Sequence, residues 1–122
     1  MGVTKTTLEP GNGVDFAVKN SMIEMHYSGH LYDASQPNGL GKRFDSSYSR
    51  NAPLASKIGA GRLIQGWDEG VPQMTLGEKA ILDITPDFGY GAGGIPGTIP
   101  PNARLVFEVQ LVSINGKKAP GL

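Results

Sequence analysis

Eighteen glycines and nine prolines lie scattered through this 122-residue chain. Glycine stands at about twice its usual ~7% share, and none of the excess is gathered into a linker. That pattern predicts short strands joined by many turns. Three segments have the two-residue period of strands with one buried face. Ile23, Met25 and Tyr27 alternate with Glu24, His26 and Ser28. Ala80, Leu82 and Ile84 alternate with Ile81 and Asp83, and Leu105, Phe107, Val109 and Leu111 alternate with Val106, Glu108 and Gln110. Three strands of one antiparallel sheet are expected. Residues 62–71 carry Leu63, Trp67 and Val71 at i, i+4 and i+8, the stripe of a helix packed by one side. Gly66 weakens that helix, and Gly70 with Pro72 ends it. One short helix covering a sheet is an α+β domain. No internal repeat or boundary divides residues 1–122. Residues 33–43, with Gln36-Pro37-Asn38-Gly39, read as an exposed loop, and residues 116–122 as a loose tail.

Charge and composition narrow the function classes. Eleven basic residues balance eleven acidic ones, so no bulk field draws the chain to nucleic acid or to anionic lipid. Without cysteine there is no disulfide, thiolate zinc site or Cys nucleophile, which fits a reducing, cytoplasmic home. Strictly apolar runs reach only three residues, as at Leu105-Val106-Phe107, so neither a signal-peptide core nor a membrane span is expected. Residues 1–6 satisfy the loose M-G-x-x-x-[ST] pattern for N-myristoylation. An ordinary frayed terminus is the preferred reading.

The stretch GYGAGGIPGTIPP, residues 89–101, contains G-x-G-x-x-G at Gly89, Gly91 and Gly94, a spacing that in dinucleotide folds opens a helix onto a pyrophosphate. Pro96, Pro100 and Pro101 prevent a helix from following, so a loop is expected and nucleotide binding is not. His26 and His30, four apart on a strand, lie too far from each other to share a metal, and a surface strand face is the better reading. Ser46-Ser47 has no local histidine for a triad and reads as a turn or cap. Asp68-Glu69 would point in different directions from a helix, as a solvated face. What remains is a set of rings with little reactive polarity: Tyr27, Phe44, Trp67, Tyr90 and Phe107.

Six blocks together carry a more specific signal: MHYSG (25–29), FDSS (44–47) with Arg50-Asn51, IQGWDEGV (64–71), GEKA (77–80), PDFGYG (86–91) and IPPNARLVFEV (99–109). In order and spacing these resemble the FKBP family of peptidyl-prolyl cis-trans isomerases, over about residues 22–114. The resemblance implies a five- or six-stranded antiparallel sheet wrapped around one short helix, with an apolar pocket between them. It implies catalysis of Xaa-Pro rotation without a cofactor or metal, and binding of tacrolimus and rapamycin. A drug complex would then engage calcineurin or the TOR kinase. A non-catalytic module of the same fold, binding proline segments or macrolides, is the alternative.

Carried over by residue, the resemblance makes Trp67 the pocket floor and Tyr27, Phe44, Leu63, Ile64 and Phe107 its walls. Tyr90 and Ile99 would lie on a loop overhanging the mouth, with Ile95 near its tip. Asp45 would face Tyr27 and Arg50 at one edge. The Ile64 N–H and the Tyr90 hydroxyl would donate to ligand carbonyls. The chain departs from the family at Leu54 and Ser56, where aromatic residues are common, and at Arg62, Ile95 and Thr98. Residues 33–43 form a longer loop than usual. These departures bear on ligand preference rather than on fold. Ile95-Pro96-Gly97 also places a prolyl bond on an exposed loop, so weak self-association of an otherwise monomeric protein through a neighbour's pocket is a further expectation.

Overall fold

The alternating segments become strands. The computed structural model describes residues 2–122. Strand β1 (Val3–Glu9) comes first, and β2 (Met22–Tyr32) buries Ile23, Met25 and Tyr27. β3 (Leu40–Ser46) and β4 (Leu54–Lys57) follow, then helix α1 (Gln65–Gly70). β5 (Lys79–Ile84), β6 (Leu105–Ile114) and the short β7 (Lys117–Lys118) complete the sheet. The three strands expected from periodicity are neighbours in the order β5-β6-β2. β1 extends the sheet beside β5 and β3 beside the second half of β2, while β4 pairs the first half of β2 and β7 pairs β6. Every pairing is antiparallel. The fold is α+β, with seven strands.

The helix lies against the apolar face, where Trp67 and Val71 join Met25, Leu82, Ile84 and Leu111 in the core. It approaches β5 closely because residue 66 has no side chain: a Cβ there would come within 2.6 Å of Ile84. It is also shorter than residues 62–71. Ile64 has a non-helical ψ of 149°, and its carbonyl accepts from the Trp67 and Asp68 N–H groups. Arg62 and Leu63 therefore remain in a loop. The cause lies in Asp68, whose carboxylate accepts from the N–H groups of Gly59 (2.8 Å) and Gly61 (3.0 Å). Asp68 is thus 7% exposed, not part of a solvated face as Glu69 is, and it pins the loop that precedes the helix.

Other expectations are corrected in the same way. Residues 40–43, assigned to a loop, belong to β3, with Tyr32 opposite Leu40 and His30 opposite Arg43. The tail at 116–122 contains β7 and the buried Ala119. Met1 of the myristoylation pattern lies outside the described residues. From Gly2 onward the terminus is ordered by pairing: the Gly2 N–H donates to Thr85 Oγ1 at 2.6 Å, and its carbonyl accepts from the Thr85 N–H. His26 and His30 are half-buried, with ring nitrogens 2.9 Å from Ser47 Oγ and from the Gly41 carbonyl.

The glycine-rich stretch is a loop. Ile95 bridges Ile99 across its tip. Gly94 has φ +57°, and a Cβ there would collide with the carbonyl oxygens of Ile99 and Pro100. Its glycines serve a tight reversal of the chain. Among the described residues no helix is long and apolar enough to cross a membrane, and no group of three or more His, Asp or Glu could hold a metal.

Candidate functional site

Between α1 and the sheet opens a cavity of about 440 Å³, lined by Tyr27, Phe44, Asp45, Leu54, Arg62, Leu63, Ile64, Trp67, Tyr90 and Phe107. Five of these are aromatic. Trp67 is held by α1, Tyr27 by β2, Phe44 and Asp45 by β3, and Phe107 by β6. The Trp67 ring meets Tyr27 edge to face at 5.0 Å and Phe107 at 5.3 Å. Phe44 meets Phe107 in the same manner at 5.7 Å. Edge-to-face pairs fix ring orientation as well as burying area, so the cavity has stiff walls.

A glycine makes this ring cluster possible. Gly29 sits in β2 opposite both Phe107 on β6 and Asp45 on β3. A Cβ there would lie 2.7 Å from Phe107 and 2.9 Å from Phe44. The sheet register also shifts between Gly29 and His30, a local irregularity of the kind that re-aims side chains. Sequence reasoning did not single out Gly29. Its signal was a glycine inside a strong strand pattern, which marks a close approach by a neighbour.

The polar edge is built around Tyr27. Its hydroxyl donates to Asp45 Oδ2 at 2.6 Å and accepts from Arg50 Nη2 at 2.7 Å, while Arg50 Nη1 donates to Asp45 Oδ1 at 2.8 Å. Burial pushes the Asp45 carboxyl up, but donors from Tyr27, Arg50 and the Ser46 N–H outweigh it and hold the group below its ordinary value. Burial, reinforced by the bond to Asp45, raises the Tyr27 phenol, so it stays neutral and remains a donor. Behind it, the fully buried Ser47 clamps the Tyr27 backbone. Ser47 Oγ accepts from the Tyr27 N–H at 2.8 Å, and the Ser47 N–H donates to the Tyr27 carbonyl at 3.0 Å.

Besides the Trp67 indole and the Arg62 guanidinium, two donors at the cavity are uncommitted. Neither the Ile64 N–H nor the Tyr90 hydroxyl makes a hydrogen bond among the described residues. Burial and then the Asp45 charge raise the Tyr90 phenol, which keeps its proton. Trp67 is 4% exposed and its indole N–H has no polar partner, so the floor is apolar apart from that single donor. None of the lining residues is Ser, Thr, Cys, Lys or His.

Of the residues assigned to the site from sequence, Tyr27, Phe44, Asp45, Leu54, Leu63, Ile64, Trp67, Tyr90 and Phe107 line one cavity. Arg50 reaches it through Asp45 and Tyr27. Ile95 and Ile99 do not line it. Ile99 is buried beside a second, open groove formed with Leu31, Lys42 and residues 96–101, and Ile95 stands at the loop tip. Arg62 does line it, because the helix begins three residues beyond it.

The model of the FKBP-type peptidyl-prolyl cis-trans isomerase family matches residues 13–112. The chain belongs to that family. It is similar to FK506-binding protein 1A of Aspergillus fumigatus, with 57% identity over 119 residues covering 98% of this chain and 100% of the relative. It is similar to a peptidyl-prolyl cis-trans isomerase of Schizosaccharomyces pombe at 55% identity, with the same coverage of both chains. FK506-binding protein 1 of Rhizopus delemar is 51% identical, covering 94% of this chain and all of the relative. As an FKBP-type isomerase the protein interconverts cis and trans forms of peptidyl-prolyl bonds. The fold accordingly agrees with the sheet and single helix that the sequence blocks implied.

Proposed function

We propose that the cavity floored by Trp67 is where the prolyl ring seats and the Xaa-Pro amide rotates. The observation that carries this reading is an open, aromatic-lined hollow whose uncommitted donors include the Ile64 N–H and the Tyr90 hydroxyl. Rotation about a peptide bond costs ~18–20 kcal/mol because amide resonance holds the bond planar. That resonance also separates charge, and the twisted amide carries less of it. A water-poor aromatic surround therefore disfavours the planar form relative to the twisted one, and donors that meet the rotated carbonyl add stabilisation that the ground state lacks. No bond to the protein forms and no proton is transferred, which is why a lining without Ser, Thr, Cys, Lys or His suffices. In this reading Tyr27, Phe44, Leu54, Leu63 and Phe107 enclose the ring. Asp45 and Arg50 hold Tyr27 in place.

The same cavity takes macrolides of the tacrolimus and rapamycin type. Support comes from its size and apolar lining and from relatives named for binding FK506, which is tacrolimus. Catalysis is tested by exchange NMR on an Xaa-Pro peptide. Cross-peaks between cis and trans forms should grow on adding the protein, and a Trp67→Leu variant that still folds should lose most of that effect. Unchanged exchange at high protein concentration would refute the reading. Because Trp67 is the single tryptophan, a tacrolimus titration followed by fluorescence reports directly from the proposed floor.

A further inference from the structure

The charged groups on the cavity wall are unequal in what they offer a substrate. They are Asp45 and Arg62. Asp45 is compensated within the protein by Arg50 at 2.8 Å and by the Tyr27 hydroxyl at 2.6 Å. Arg62 is exposed and makes no hydrogen bond or ion pair among the described residues. Asp68, the acid that follows it most closely in sequence, is buried and accepts from the N–H groups of Gly59 and Gly61. That anchoring holds the backbone of the Arg62 loop in place while leaving the guanidinium free. With a formal net charge of +0, the protein offers no net-charge attraction to an anion, and Arg62 is the one cation among the lining residues that could supply a local one.

We infer that Arg62 is a specificity residue which favours Xaa-Pro segments carrying a carboxylate next to the reacting bond. The inference rests on the cavity being the prolyl site. A flanking carboxylate would meet the guanidinium at the rim, where apolar walls reduce screening on one side. Its charge does not change as the amide twists, so ground state and transition state benefit alike. The preference therefore falls on KM and not on kcat. For a half-solvated pair the gain in kcat/KM is about two- to fivefold.

The test uses blocked peptides that differ only in the residue two before the proline or the one after it, set to Glu, Gln or Lys. Exchange rates are measured by NMR at low salt. The wild type should rank Glu over Gln over Lys in kcat/KM at one of these positions, with kcat level, and about 1 M salt should flatten the ranking because the screening length falls to ~3 Å. The Glu-to-Gln ratio should fall to one in Arg62→Gln, survive in Arg62→Lys and invert in Arg62→Glu. Each ratio is internal to one variant, so altered folding cancels. Equal rates for all three wild-type peptides, or a Glu preference that persists in Arg62→Gln, would overturn the role of Arg62 while leaving the cavity reading intact. If no peptide is accelerated at all, both readings fail.

Discussion

The Tyr27 hydroxyl lies 2.6 Å from Asp45 Oδ2, so an aromatic ring of the cavity wall is fixed at its polar end by a carboxylate on the next strand. Arg50 closes the set by donating to both groups. Tyr27→Phe keeps the ring and the Asp45–Arg50 pair but removes the bridge. It should lower stability by about 1 kcal/mol and raise macrolide Kd several-fold. Asp45→Asn should act in the same direction, and the double variant should be less damaging than the sum of the two. Additive losses in a denaturation and titration series would show that the bridge does not act as a unit.

Gly66 illustrates a conflict between local and tertiary preference. Alanine is favoured over glycine in a helix by up to ~1 kcal/mol, yet a Cβ at residue 66 would press on Ile84 at 2.6 Å. Overpacking of this kind costs about 1–3 kcal/mol, so Gly66→Ala should be net destabilising. Ile84→Val in the same chain should recover part of the loss, as read by urea midpoints. A Gly66→Ala protein more stable than wild type would mean that the helix can move off β5.

Strands β2, β5 and β6 were legible because half-buried sheet residues leave a strict two-residue alternation, seen in Ile23, Met25 and Tyr27. β1 was not, because its residues are mostly exposed and Thr4, Thr6 and Thr7 blur the alternation. The helix was legible through Trp67 and Val71, but its start was displaced by Asp68, whose partners at Gly59 and Gly61 are nine and seven residues away. No window on helical period registers such a bond. The site followed the same division. The ring-bearing positions came from motif blocks, whereas Gly29 and the free state of Arg62 depend on which side chains are brought near them or kept away by the folded chain.

Glu78 ties β1 to the turn before β5. Its Oε2 accepts from Lys5 Nζ at 2.6 Å and Thr7 Oγ1 at 2.8 Å, and its Oε1 accepts from the Thr75 N–H at 3.0 Å. Burial raises its pKa, but these donors outweigh burial and hold it below the ordinary glutamate value. A carboxyl depressed in the folded state contributes stability at neutral pH, and the contribution disappears as pH falls below about 4 through the folded value. Glu78→Gln should therefore cost about 2 kcal/mol at pH 7, with the gap to wild type narrowing on acidification. A gap that stays constant from pH 7 to 3 would remove charge from the explanation.

Gly29 offers the sharpest separation of cavity shape from overall stability. A methyl group there would face Phe107 at 2.7 Å and Phe44 at 2.9 Å, in both cases the rim of a ring. Both rings border the cavity, so relief of the clash has to come from rotating them into it or from parting β2 and β6. Gly29 is extended rather than left-handed, since positive φ values are found elsewhere, so alanine adds no backbone strain and the penalty is steric. Gly29→Ala should cost about 1–3 kcal/mol of stability. Its effect on macrolide Kd and on kcat/KM should exceed that of a core change of equal stability cost remote from the cavity, such as Ile114→Val. Matched losses of binding in the two variants, measured by Trp67 fluorescence on folded protein, would mean that the Phe44–Phe107 arrangement does not shape the cavity.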